Sequence, residues 1–423
     1  MKKAGIMKRV GRTILWTVFF LCCFTFAGKA ASDWIEEKEG LVTESVLPYL
    51  EKETEDITAV SEKKEEASEE KNEKNFNDER KAALMRKQQD LHYFSNLEIT
   101  EQNLYVEILY ALENYVTDMK VSTTDTAMID KIFQCVLMDH PEIFYTDGYS
   151  FVKYTLGDDV QKITFKGTYI YSQEEKEEKE AQIEKAVFEM LAGIEADATD
   201  YEKVKYVYET MIHQTEYDIE SEDNQNICSV FLNHRSVCQG YAKAMQYLLT
   251  KLDIPTLLVI GTVETGEGHA WNMVKVNNQY YYLDATWGDA SYLVSMNETQ
   301  QEPQYVPAIN YDYFCITTEE ISRTHNAGDL MPLPVCDSME ANYYVREGAY
   351  FTEVNYDQLA QLFAEYKNEH RETVTIKCAD DAVYQQMEEE LLAKQKIFKF
   401  LEGKDNSIIY NDSSRQRSIT FWL

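Results

Sequence analysis

Ser236-Val237-Cys238-Gln239-Gly240-Tyr241-Ala242 opens a stretch that closes at Pro255, and its reading decides the fold of the middle of this 423-residue chain. From Cys238 onward, Tyr241, Ala242, Met245, Leu248, Leu249 and Leu252 recur at the period of a helix and form one buried face. Cys238 therefore stands at or next to the helix N-terminus. Unpaired backbone N–H groups and the positive end of the helix dipole gather there, and both favour a thiolate over a thiol. The same N–H groups can hold an oxyanion. Gly240 would let a substrate or a neighbouring strand approach the first turn closely. Taken alone, a cysteine here is better explained as a small buried hydrophobe at a helix start.

Two further stretches change that balance. Gly268-His269-Ala270-Trp271-Asn272-Met273-Val274 begins one strand, and Tyr280-Tyr281-Tyr282-Leu283-Asp284 forms another. Asn277-Asn278 between them suits a two-residue hairpin turn at positive φ. With that turn Val276 pairs with Gln279, Asp284 faces Trp271, and His269 lies two residues further along on the same face. Diagonal neighbours on one face are about 7–8 Å apart along the backbone, so the two side chains can meet. A three-residue loop would place them on opposite faces. His269 alone could be a strand-end histidine, and Asp284 could cap the following turn through Thr286. Together with Cys238 they supply a nucleophile, a base and a group that orients the base.

These residues resemble the transglutaminase-like superfamily, whose fold is similar to that of papain-type cysteine proteases. The resemblance rests on Val237-Cys238-Gln239-Gly240-Tyr241-Ala242, Gly268-His269-Ala270-Trp271-Asn272 and Leu283-Asp284-Ala285-Thr286-Trp287-Gly288-Asp289, in the order Cys, His, Asp, and covers roughly residues 201–289. It implies an α+β fold with the nucleophile helix packed on an antiparallel sheet. It also implies a thioester formed with an amide carbonyl, released by water in a hydrolase or by an amine in a cross-linking enzyme. Members carry an upstream residue that completes the oxyanion hole. Tyr217 is the candidate here, with Gln239 and Gly240 as further oxyanion or substrate positions. Trp287 and Asp289 are expected to tighten the turn after the Asp284 strand.

The remainder of the chain frames this domain. Lys2, Lys3, Lys8, Arg9 and Arg12 precede an apolar run from Thr13 to Gly28, and Gly28-Lys29-Ala30 offers a small-x-small cleavage site. Residues 1–30 therefore read as a signal peptide, and as a membrane anchor if uncleaved. Residues 31–90 are dominated by Glu and Lys and read as a charged, disordered spacer. Residues 91–198 read as an N-terminal accessory region of helices and a hairpin, with Thr100 capping the first helix. The transglutaminase-like domain is expected over 199–334, and a small α/β unit over 335–423. In that last unit Tyr343 to Val354, Glu372 to Cys378, Ile397 to Leu401 and Ser418 to Leu423 read as strands. This arrangement resembles that of secreted proteins of Gram-positive bacteria that carry such a domain.

The net charge of −33 argues against nucleic acid as a partner, because binding to phosphates needs a positive footprint. The expected partners are a protein or cell-wall peptide as substrate, with the N-terminal segment engaging the membrane or secretion machinery. Six cysteines lie beyond the leader, too few over that length for a disulfide framework. Cys315 with Cys336 is the first candidate pair, while Cys135 and Cys228 read as small buried hydrophobes. No motif implies a cofactor. His325 with Cys336 offers two metal-ligand types without further partners, a pattern more often structural, and no metal is expected. Asn297-Glu298-Thr299 matches a glycosylation sequon. Two functions compete: an extracytoplasmic thiol enzyme acting on peptide amides, with hydrolysis favoured over cross-linking, and a cell-surface binding module that keeps the fold without turnover.

Overall fold

The computed structural model describes residues 7–11, 76–157, 159–289, 307–401 and 407–423. The sequon at Asn297 lies outside them, as do most of the leader and spacer. The chain forms two compact units, one of Met1–Val136 with Tyr145–Ile170, the other of Leu137–Phe144 with Tyr171–Leu423. Among the described residues no helix is long and apolar enough to cross a membrane.

The first unit is ordered earlier than its composition suggests. Helix α1 (Asp78–Gln88) falls inside the stretch expected to be spacer. It is charged, but it is anchored: Lys81 reaches Glu107 at 2.7 Å, and the Phe76 ring just ahead of it stacks on Tyr110 at 4.5 Å. Both partners sit on helix α2 (Ile99–Glu113), which starts two residues earlier than a Thr100 cap implies. Glu98, not Thr100, forms its cap, in a reciprocal box with Glu101. The sheet of this unit is built on a long hairpin, β3 (Thr146–Leu156) and β4 (Asp159–Tyr169), with Gly157 at φ +65° in the turn. Strand β2 (Met119–Val121) pairs with β4, and β1 (Met7–Gly11) pairs with β3, giving the order β1-β3-β4-β2. Strand β1 lies within the basic start of the expected leader. A mature chain cut after Ala30 would lack it.

The second unit holds the three motifs. Helix α3 (Gln173–Leu191) begins at a Ser172–Glu175 capping box and α4 (Asp200–Gln214) at a Thr199–Glu202 box. Helix α3 was expected to belong to the accessory region, but it is part of this unit. The central helix α5 (Cys238–Lys251) has Val237 as its N-cap residue, so Cys238 is its first residue. Tyr241, Ala242, Met245, Leu248 and Leu249 are buried along it, as the helical period predicts.

Strands β7 (Thr256–Val263), β8 (Gly268–Val276), β9 (Gln279–Leu283), β10 (Phe314–Ile316) and β11 (His325–Ala327) form an antiparallel sheet in the order β10-β9-β8-β7-β11. The β8–β9 hairpin has the predicted register: Val276 pairs with Gln279 and Asn272 with Leu283. Asn277 and Asn278 turn it at φ 49° and 65°. Helix and sheet are joined by Asn272, whose amide donates to the carbonyls of Ala242 at 2.9 Å and Leu257 at 3.2 Å.

The C-terminal residues add a second sheet to this same unit, in which β12 (Tyr350–Phe351), β13 (Thr373–Cys378), β14 (Tyr410–Ser413) and β15 (Ser418–Trp422) take the order β12-β13-β15-β14. Strands β13 (Thr373–Cys378) and β15 (Ser418–Trp422) lie where expected. Of the strand expected over Tyr343 to Val354 only Tyr350–Phe351 forms, and the strand expected over Ile397 to Leu401 does not. Tyr343–Arg346 is a helical turn capped by Asn342, and Lys396–Lys399 is a 3-10 turn. In both stretches the apolar residues suit a strand, but local hydrogen bonds take the backbone groups instead: Asn342 receives the Tyr344 N–H. The fold as a whole is the expected mixture of helix and sheet.

Candidate active site

Cys238 comes from the first turn of α5, His269 from the second residue of β8, and Asp284 from the end of β9. The hairpin register brings the last two together. Nε2 of His269 lies 2.8 Å from Oδ2 of Asp284. Their side chains are 5% and 1% exposed, so water competes little for this bond. The other carboxylate oxygen accepts the backbone N–H groups of Thr286 at 2.9 Å and Trp287 at 3.1 Å. Asp284 thus does both things the sequence allowed: Oδ1 caps the turn after the strand, and Oδ2 holds the histidine.

The electrostatics follow from this geometry. Burial on its own would drive His269 to its neutral form. The Asp284 carboxylate and the Cys238 thiol against the ring outweigh it and raise the imidazole pKa above its ordinary value. Burial would likewise protonate Asp284, but the His269 charge and the hydrogen bonds from His269 and His325 hold it below the usual carboxylate range. An ionised carboxylate only accepts, so each histidine Nε2 carries the proton in its bond to Oδ2. Nδ1 of His269 is then the nitrogen left to exchange a proton with a thiol. Cys238 is the one free cysteine of the described six that is not fully buried.

Packing fixes the ring. His269 stacks on Trp271 at 5.8 Å between centroids, and Trp287 lies 6.0 Å away on a tilted plane. Trp287 and Asp289 lie in the turn after the Asp284 strand, where the Asp289 N–H donates to the Thr286 carbonyl at 3.2 Å, and their side chains reach beyond it. Asp289 accepts a 2.6 Å hydrogen bond from Tyr241 of α5, and Trp287 lines the imidazole.

The weaker candidates fare differently. Tyr217 stands on a two-residue strand, β5 (Glu216–Tyr217), paired in parallel with β6 (Arg235–Ser236), which runs straight into Cys238. It is therefore brought beside the helix start. Gln239 is buried. Gly240 is also covered: a Cβ there would lie 2.0 Å from Ser236 Oγ, 2.7 Å from Ser229 Oγ and 2.9 Å from the Asn224 carbonyl. The close approach at Gly240 is made by the neighbouring strand and not by space for a substrate.

Cys315 and Cys336 are both free and buried, so the pair singled out for a disulfide is not bridged. Cys336 instead packs in an apolar cluster with Leu257, Val259, Trp271 and Tyr313. Cys135 and Cys228 are buried hydrophobes as expected.

One residue at the site was missed. His325 does not associate with Cys336. Its Nε2 lies 3.1 Å from the same Asp284 Oδ2 that binds His269. His269, Asp284 and His325 present ligand atoms within 4.8 Å of one another, the spacing a divalent cation would use. Each of these contacts is already accounted for by a proton between nitrogen and oxygen. His325 follows Asp284 by 41 residues across a stretch with no pairing pattern, so no register could have placed it.

The site thus sets a thiol at a helix start beside an imidazole fixed by a buried carboxylate, on a helix packed against an antiparallel sheet. Residues 175–285 match the model of the transglutaminase-like superfamily, and the match contains Cys238, His269 and Asp284. The chain therefore carries a transglutaminase-like domain. Human kyphoscoliosis peptidase is 26% identical over 106 residues, a stretch that is 21% of this chain and 16% of that protein. Among solved structures, a TGase aligns over 55% of this chain and 60% of its own at 14% identity and a TM-score of 0.25. A Cytophaga hutchinsonii protein designated a cysteine protease aligns over 33% and 58% at 13% identity and a TM-score of 0.22.

Proposed function

We propose that this protein is a thiol acyl-transfer enzyme acting on peptide amides outside the cytoplasm, with Cys238 as nucleophile, His269 as acid and base, and Asp284 as the group that orients His269. The single observation that carries this reading is the 2.8 Å His269–Asp284 bond, buried behind a thiol at the first residue of a helix. The Cys238 sulfur attacks the amide carbonyl carbon, and the carbonyl π electrons move to oxygen. The backbone N–H groups at the start of α5 face the growing negative charge. As the C–N bond breaks, the imidazolium gives its proton to the departing amine, leaving a thioester on Cys238 and a neutral ring. Water then gives a proton to His269 and its oxygen to the acyl carbon, and the thiolate leaves.

Hydrolysis is favoured over cross-linking because no residue marks an amine-binding site. The basic and apolar start of the chain supports export, with a protein or cell-wall peptide as substrate on the far side of the membrane. If the leader is retained, the same segment anchors the enzyme there. The alternatives are a cross-linking transglutaminase and a non-catalytic surface module.

Turnover of p-nitrophenyl acetate tests the reading without knowledge of the natural substrate. A burst of nitrophenol should accompany an acetyl group on the Cys238 peptide, and Cys238→Ala should lose both. Adding an amine then separates the two fates: little amide product supports hydrolysis, and dominant amide product supports cross-linking. A burst that survives in Cys238→Ala sinks the assignment.

A further inference from the structure

The Asp284 carboxylate carries more donors than a base-orienting group requires. Oδ1 accepts two backbone N–H groups, and Oδ2 accepts both His269 and His325. His325 lies on β11, the strand at the far edge of the sheet from β9, and its side chain is fully buried. Its own orientation is also fixed. Thr324 Oγ1 lies 2.8 Å from His325 Nδ1, and with the Nε2 proton committed to Asp284 the threonine hydroxyl is the donor. Tyr313 hydrogen-bonds Thr324 in turn, and Gln416 Nε2 donates to the Tyr313 hydroxyl at 2.9 Å.

The close seating of β11 depends on Gly261 of β7. A Cβ there would lie 2.1 Å from the Asn326 carbonyl oxygen and 2.7 Å from the Trp271 ring. The titratable groups that face His325 are Asp284, His269 at 5.2 Å between centroids and Tyr313 at 5.7 Å; Trp271 and Trp287 close the remaining sides.

We propose that His325 is a positioning residue for the nucleophilic site: as a neutral imidazole it holds Oδ2 of Asp284 in place and shares the carboxylate's charge with His269. This inference rests on the thiol-enzyme reading above. His325 does not touch the reacting atoms. It acts by keeping the carboxylate from rotating away from His269, and by withdrawing part of its negative charge. Burial supports the neutral form, since it lowers the His325 pKa against the pull of Asp284. The second effect has a sign. With His325 removed, Asp284 has one donor fewer, the carboxylate attracts the His269 proton more strongly, and the imidazolium persists to higher pH.

The test measures the rate of Cys238 acetylation by p-nitrophenyl acetate across pH, for the wild type, His325→Ala, His325→Gln and Thr324→Val. Far-ultraviolet circular dichroism and melting check the fold of each. His325→Ala should slow acetylation by about 10- to 100-fold, the loss expected for one hydrogen bond to a buried charge. Its alkaline limb should move to higher pH with KM for the ester little changed. His325→Gln keeps an N–H donor and should recover most of the rate. Thr324→Val keeps the shape but frees the ring, and should shift the profile in the same direction to a smaller extent; it decides the matter if His325→Ala fails to fold.

A folded His325→Ala or Thr324→Val with the wild-type rate and profile overturns the proposal. So does a stoichiometric zinc ion that is retained by the wild type and lost in His325→Ala, since the three ligand atoms would then serve a metal. A wild type never acetylated at Cys238 is a different result. It sinks the thiol-enzyme reading, and this proposal with it.

Discussion

At the scale of the residue, Asp284 is the group on which the site turns. Its two oxygens are used separately, one to terminate β9 and start the next turn, the other to hold two histidines. That division explains why the sequence supported both a structural and a functional reading of the same carboxylate. It also sets the pH range of the chemistry. The His269 pKa is raised, so its charged form survives above the ordinary imidazole value and is lost as pH rises through the raised one. For the proposed chemistry, protonation of the leaving group therefore has an alkaline limit set by His269. His325 was not legible at this scale. A histidine read from sequence carries no sign of which carboxylate it will meet.

At the scale of the element, the β8–β9 hairpin was legible almost completely. Its turn residues, length and register could all be read, because a two-residue turn leaves one pairing and one assignment of faces. Asn277 and Asn278 carry the positive φ angles this turn demands. Asn277→Val should cost about 1–2 kcal/mol, the penalty for a side chain branched at Cβ in the left-handed region, and urea unfolding measures it. The same substitution should slow acetylation of Cys238, because the turn sets which face Asp284 occupies. An unchanged midpoint would show that the strands hold the register without the turn. Helix α5 was equally legible from its period and from Pro255 beyond its end. The short elements were not. Tyr343–Arg346 and Lys396–Lys399 carry strand-like residues, yet one local cap or one turn of hydrogen bonds decides them. Helix α1 hid within a charged run because its partners, Glu107 and Tyr110, lie more than twenty residues away.

At the scale of the whole molecule, the sequence suggested a small separate α/β unit over residues 335–423. The structure joins it to the site-bearing sheet through buried charge. Lys377 of β13 is 1% exposed and lies 3.0 Å from Asp312, which also accepts a 2.6 Å bond from Ser418 of β15. A chain ending at Pro334 would leave Asp312 without either partner and Tyr313 without Gln416. Loss of one partner of a buried pair costs about 3–5 kcal/mol, so the truncated protein should fail to melt cooperatively. A soluble, cooperatively melting truncation with wild-type acetylation would show the C-terminal sheet to be independent. Composition could separate these residues from the rest, but it could not show that their polar groups complete a network in the neighbouring sheet.

The central claim is that Cys238 is the nucleophile and His269 the group that activates it, and alkylation of the intact chain by iodoacetamide tests it directly. At about pH 6 Cys238 should be alkylated rapidly in the wild type, and His269→Ala should slow it by about 100-fold, towards the rate set by an unassisted thiol. Equal rates in the two proteins would contradict the account.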